Sequence, residues 1–107
     1  MGDDIERGTS NVFADLGYPD AIERQTKTRL AIEINGILKT RKLRQVDVAR
    51  LLGLAQPKVS ALVNYRLDGF SVERLMNVLT ALNHDVEIVI RPITDGRDGR
   101  ISVLSLS

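Results

Sequence analysis

The segment QVDVARLLGLAQPKVSALVN, Gln45 to Asn64, constrains the fold more than any other part of the chain. Its small and apolar residues are spaced for two short helices that cross at a tight turn. Ala49 lies four residues before Gly53, and Val59 and Leu62 lie six and nine after it. Two short helices crossing steeply need a small side chain where they approach, and Ala49 supplies it. The turn needs one residue at positive φ, where Gly53 avoids the Cβ clash that costs about 1–2 kcal/mol. The pattern predicts helices over Gln45–Leu52 and Gln56–Val63. Pro57 falls in the first turn of the second, where a missing N–H costs nothing. Val48, Leu51, Leu52 and Leu54, with Val59 and Leu62, then close one small core. Gln56, Pro57, Lys58, Ser60 and Ala61 are left with no core to enter. A helix that turns short polar and small residues outward fits the DNA major groove. An ordinary helical hairpin can also meet at a glycine, so the spacing alone leaves both readings open.

Charge favours the DNA reading. Between Lys39 and Arg66 seven basic residues (Lys39, Arg41, Lys42, Arg44, Arg50, Lys58, Arg66) stand against one acid, Asp47. That segment carries +6 in a chain whose net charge is +1, so the remainder carries −5. Positive charge gathered on the same segment as the helical pair is what phosphate binding requires.

Length and composition narrow the remaining classes. A chain of 107 residues supports one domain around a single core. With 4% aromatic residues, that core must be Leu, Ile, Val and Ala. The absence of cysteine removes disulfides, zinc knuckles and thiol nucleophiles together. The opening MGDDIERG is acidic and polar, unlike a signal peptide or membrane anchor, and no apolar run approaches bilayer length, so a cytoplasmic protein with no membrane partner is expected. An enzyme is not expected. The one histidine, His84, has no second histidine or cysteine near it to build a metal site. Asp3, Asp4, Asp95 and Asp98 lie in glycine-rich, solvated stretches where burial cannot tune a carboxyl for acid–base work. No glycine loop cradles a phosphate, and no cofactor is expected.

The flanks divide into an acidic N-terminal leader over 1–18, a helical domain over 19–84 and a C-terminal β extension over 85–107 of the same structural unit. In the leader, Val12, Phe13 and Leu16 are suited to a short turn docked on the domain. Pro19-Asp20 is a helix-start signal, and a long helix is predicted from Pro19 to Arg41. Leu30, Ile34, Ile37 and Leu38 form its buried stripe, with Ala31 and Ile32 widening it. Ser71 should cap a helix over Val72–Leu82. Its Val72, Leu75, Met76, Val78, Leu79 and Leu82 should face the bundle. After Asn83 the period changes to two: Asp85–Arg91 and Ile101–Leu106 read as strands around Asp-Gly turns, paired as a hairpin that packs on the domain or pairs with another chain.

The window Gln45–Asn64, followed by NYRLDGFSVERLMNVLTALNHDVEIVIRP, resembles the XRE-type (phage-repressor-like) helix-turn-helix family. More narrowly it is similar to the HigA-type antitoxin branch, and NVFADLGYPDA, Asn11 to Ala21, is similar to a leader of that subgroup. The resemblance covers about residues 11–92. It implies a mainly α, lambda-repressor-like bundle of about five helices that binds double-stranded operator DNA as a homodimer. It also implies repression of an operon and neutralisation of a ribonuclease-like toxin by direct contact. Carried over position by position, Gln45 would hold a phosphate at the start of the first motif helix. Gln56 would read adenine with its amide, and Pro57 and Ala61 would pack on thymine methyl groups. Ser60 would reach base or phosphate, while Lys58, Asn64 and Arg66 would clamp phosphates, with Arg41, Lys42 and Arg44 on the flank. The chain departs from the family pattern at Ala55, where Ser or Thr usually caps the recognition helix, and at Tyr65, where glycine usually follows it. The alternative is a protein-interaction role, in which the acidic leader or the C-terminal strands bind a basic toxin; a stand-alone regulator with no toxin is the third possibility.

Overall fold

The computed structural model describes residues 20–106, which contain four helices: α1 over Asp20–Thr40, α2 over Gln45–Leu52, α3 over Gln56–Val63 and α4 over Val72–Ala81. α1 is the spine. It packs on α4 and more lightly on α3, while α2 packs on α3 and α4. Leu30, Ala31, Ile34 and Leu38 recur on one face of α1 and are all buried. They meet Leu75, Val78 and Leu79 of α4, and Val48, Val59 and Leu62 of the short pair, in one core. Leu67 and Phe70 fold in from the loop before α4. The Asn35 amide crosses from α1 to donate to the Leu62 carbonyl at 3.3 Å, tying the spine to the end of α3. Thr26 is buried on α1 because its hydroxyl donates within the helix, to the Ile22 carbonyl at 2.9 Å. Ser71 caps α4 as expected, its Oγ accepting the Arg74 N–H at 3.0 Å.

All four helices stop in the same way. A residue one or two positions past each end takes a left-handed conformation: Lys42 (φ 55°), Gly53 (φ 65°), Tyr65 (φ 59°) and Asn83 (φ 68°). The next N–H then reaches back five residues: Leu43 to Leu38 O at 3.0 Å, Leu54 to Ala49 O at 3.0 Å, Arg66 to Ala61 O at 2.8 Å and His84 to Leu79 O at 3.1 Å. These bonds satisfy carbonyls that the helix end would otherwise leave open. Only one of the four positions is glycine. The other three residues bear the Cβ penalty of this conformation, which Asn tolerates best.

Three expectations need correction. Ile32 does not widen the buried stripe; it is 45% exposed, one position beyond the arc that meets α4. Leu51 is 47% exposed, because Leu52 and Leu54 already occupy the space beside the turn. The C-terminal strands are absent among the described residues: 85–106 carries no strand, and no backbone-to-backbone hydrogen bond between described residues involves it. A strand exists only through pairing, and the two segments expected to pair do not meet as a ladder. The second docks instead on α1, with Val103 half-buried against the core and the Ser105 hydroxyl donating to Glu33 Oε1 at 2.8 Å. The bundle shows four helices in the described residues where about five were expected, and the docking turn at Val12, Phe13 and Leu16 lies outside them.

Candidate nucleic-acid interface

α3 is built to expose one side. Val59 and Leu62 are fully buried, so the positions roughly opposite them must face out. Gln56, Pro57, Lys58 and Asn64 are exposed, and Ser60 and Ala61 half-buried. Gln56 and Ser60 are one turn apart, as are Pro57 and Ala61. Ala55 precedes the helix with extended backbone (φ −64°, ψ 146°) and provides no side-chain cap. Its carbonyl accepts from Lys58 N at 2.9 Å and Val59 N at 3.2 Å, while Pro57 removes one orphan donor from the first turn.

The polar candidates differ in how far they are already engaged. Asn64 folds back as a C-terminal cap, its amide donating to the Ser60 carbonyl at 2.8 Å. Lys58 leaves the helix on the flank away from Gln56. Its ammonium donates to the Gly69 carbonyl at 2.7 Å and lies 4.8 Å from the centroid of the Phe70 ring. Arg44 turns back on Asp47, with Nε 3.1 Å from Oδ2, while Asp47 also accepts the Arg44 backbone N–H at 3.2 Å. This pairing holds the Asp47 carboxyl below its ordinary value, chiefly through the guanidinium hydrogen bond and then the backbone one. Gln45, Gln56 and Arg66 are exposed, with no side-chain hydrogen bond among the described residues.

All seven basic residues between Lys39 and Arg66 are exposed. The sequence reading did not single out the place where three elements bring some of them together. Lys39 and Lys42 from the end of α1, Gln45 from the start of α2 and Tyr65 from the end of α3 border an open groove of about 460 Å³. Leu38, Leu43, Val48 and Val63 supply its apolar lining. The left-handed turns at Lys42 and Tyr65 place those two residues there, and a helix-end conformation at a non-glycine residue leaves little trace in sequence. Among the described residues no group of three or more His, Cys, Asp or Glu side chains could hold a metal ion. His84 is taken up by the Leu82 carbonyl, 2.9 Å from its Nδ1. No helix among the described residues is long and apolar enough to cross a membrane.

Two short helices joined by a left-handed glycine, the second presenting an open polar side amid exposed cations, define a helix-turn-helix unit. The helix-turn-helix domain family matches the chain over residues 12–91, and the chain belongs to it. Within that class it is of the XRE family: a solved structure described as "Putative XRE Family Transcriptional Regulator" is 56% identical, covering 82% of this chain and 100% of that one, with a TM-score of 0.79. No curated protein matches the chain.

Proposed function

We propose that the protein is a sequence-specific DNA-binding transcriptional repressor that binds its operator as a homodimer, with α3 in the major groove. The observation that carries this reading is the exposure of all seven cations of the +6 segment around an α3 whose Gln56 amide is uncommitted. Gln56 reads adenine with its amide, and Pro57 and Ala61 meet thymine methyl groups. Gln45, Arg66, Lys39 and Lys42 contact phosphates on either side, and Lys58 does so by exchanging its Gly69 contact for a phosphate. Ser60 and Asn64 fix the end of the helix and reach the backbone from there. One α3 of eight residues offers too few base contacts for useful specificity, so two copies read half-sites about 34–36 Å apart. Selection of bound duplexes from a random pool, then titration across salt, tests this. A palindromic site and an affinity falling steeply with salt are expected. Binding indifferent to salt would sink the proposal. Gln56→Ala should relax preference at one position per half-site, costing about 1–3 kcal/mol there.

The finer reading is that the regulator is also the antitoxin of a toxin–antitoxin pair. Six acids stand against Arg7 and Arg24 before Lys27, opposite in sign to the +6 segment. An acidic first third suits a basic, ribonuclease-like partner and leaves the DNA face free. Co-expression with the product of the adjacent gene decides it. Rescue of growth supports the antitoxin role, and a harmless neighbour leaves a stand-alone regulator.

A further inference from the structure

The segment Asp85–Arg91 has the sequence of a strand and no strand to pair with. Ile88 is 76% exposed and Ile90 91% exposed, so both aliphatic side chains stand in solvent. The segment's one potential hairpin partner, 101–106, is held on α1 by Val103 and by the Ser105–Glu33 hydrogen bond. An aliphatic, alternating run whose backbone groups have no ladder partner is a template for strand addition.

Its charges identify the partner. Asp85 and Arg91 bracket the segment and make no ion pair with one another or with other described residues. When two copies run antiparallel about a two-fold axis through Ile88, Asp85 of each faces Arg91 of the other. Val86 then faces Ile90, Glu87 faces Val89, and Ile88 faces its own copy. Every residue of the segment is paired, and pairing ends just before Pro92, which has no N–H to give. Val86, Ile88 and Ile90 of both copies fall on one face, so the exposed Ile88 and Ile90 of the two copies gather beside Val86, which is already half-buried against the core. A parallel arrangement would instead set Asp85 beside Asp85 and Arg91 beside Arg91, which like-charge repulsion disfavours. We propose that Asp85–Arg91 is the dimerisation strand, pairing antiparallel with the same segment of a second copy around Ile88. This rests on the dimeric reading of the DNA-binding unit and says which surface makes the dimer.

The absence of native cysteine makes the register directly testable. Residues facing each other across an antiparallel pair lie about 4.5–5.5 Å apart at Cα, within disulfide range. In the full chain without DNA, Ile88→Cys should give a disulfide-linked dimer under mild oxidation, while Thr80→Cys, exposed at the end of α4, should not. Arg91→Asp should weaken the dimer about tenfold in sedimentation, because it opposes like charges at two symmetric places, and Asp85→Arg in the same chain should restore it. A wild-type dimer that neither crosslinks through Ile88→Cys nor responds to the charge exchange overturns the strand proposal and leaves dimeric DNA binding standing. A wild-type monomer that stays monomeric on a palindromic site overturns both. Loss of the dimer in Arg91→Asp without rescue by the exchange overturns the register.

Discussion

The glycine at the helix-turn-helix corner gives a prediction whose size follows from geometry alone. A Cβ built on Gly53 meets no atom within 4 Å, so Gly53→Ala introduces no clash and tests only the backbone conformation, φ 65°. A left-handed Cβ costs about 1–2 kcal/mol. The alanine also restricts the unfolded chain, which returns about 0.4–1 kcal/mol. The net is a loss of about 1 kcal/mol, or a fall in Tm of about 4–8 °C for a domain of this size. Lys42 is the mirror test. It holds φ 55° with an exposed side chain, so Lys42→Gly should reverse the sign and raise Tm by a few degrees, an effect of similar size. Thermal melting by circular dichroism, with urea titration to confirm an unchanged m-value, measures both. A Gly53→Ala variant as stable as the wild type, or a Lys42→Gly variant that melts lower, would refute the account of these turns.

Three other outcomes are expected. Lys58→Ala should weaken binding to all DNA sequences alike and reduce the salt slope by about one, with a lower Tm as well because the Gly69 and Phe70 contacts are lost; unchanged stability would mean those contacts contribute nothing. Ile34 is fully buried between α1 and its neighbours, so Ile34→Ala should cost about 2–5 kcal/mol in chemical denaturation. The Asp47 carboxyl is depressed by Arg44 in the folded state, so its contribution is present above the ordinary value of 3.8 and disappears as pH falls through the lower folded value. The stability gap between wild type and Asp47→Asn should therefore be open at neutral pH and close in acid, and a gap that widens on acidification would contradict the sign.

How much of this was legible in sequence depends on whether the determining force was local. The limits of α2 and α3 coincide with the expected Gln45–Leu52 and Gln56–Val63, because proline, glycine and apolar spacing act within a few residues. Ser71 was legible for the same reason: a cap is a bond over three residues. Leu51 and Ile32 were misplaced because periodicity gives a helix's apolar arc but not the width of the surface it meets. Lys58 could be seen as an exposed cation on α3, but its attachment to Gly69 depends on a loop eleven residues away.

The C-terminal segment shows the same limit from the other side. Alternation of Val86, Ile88 and Ile90 states what kind of partner the backbone needs, and the stability of a strand lies wholly in that partner. Within one chain, Val103 and Ser105 commit the other candidate strand to α1 and Val86 packs on the core, so of the alternating residues Ile88 and Ile90 are left without a place in it. Four exposed aliphatic side chains at Ile88, Val89, Ile90 and Ile93 would be a standing liability for a protein acting alone. Opposite charges at the two ends of a seven-residue run convert that liability into a self-recognising edge, because only the antiparallel copy neutralises both ends at once. The edge lies outside the +6 segment and shares no residue with the exposed side of α3, so the two surfaces draw on different side chains.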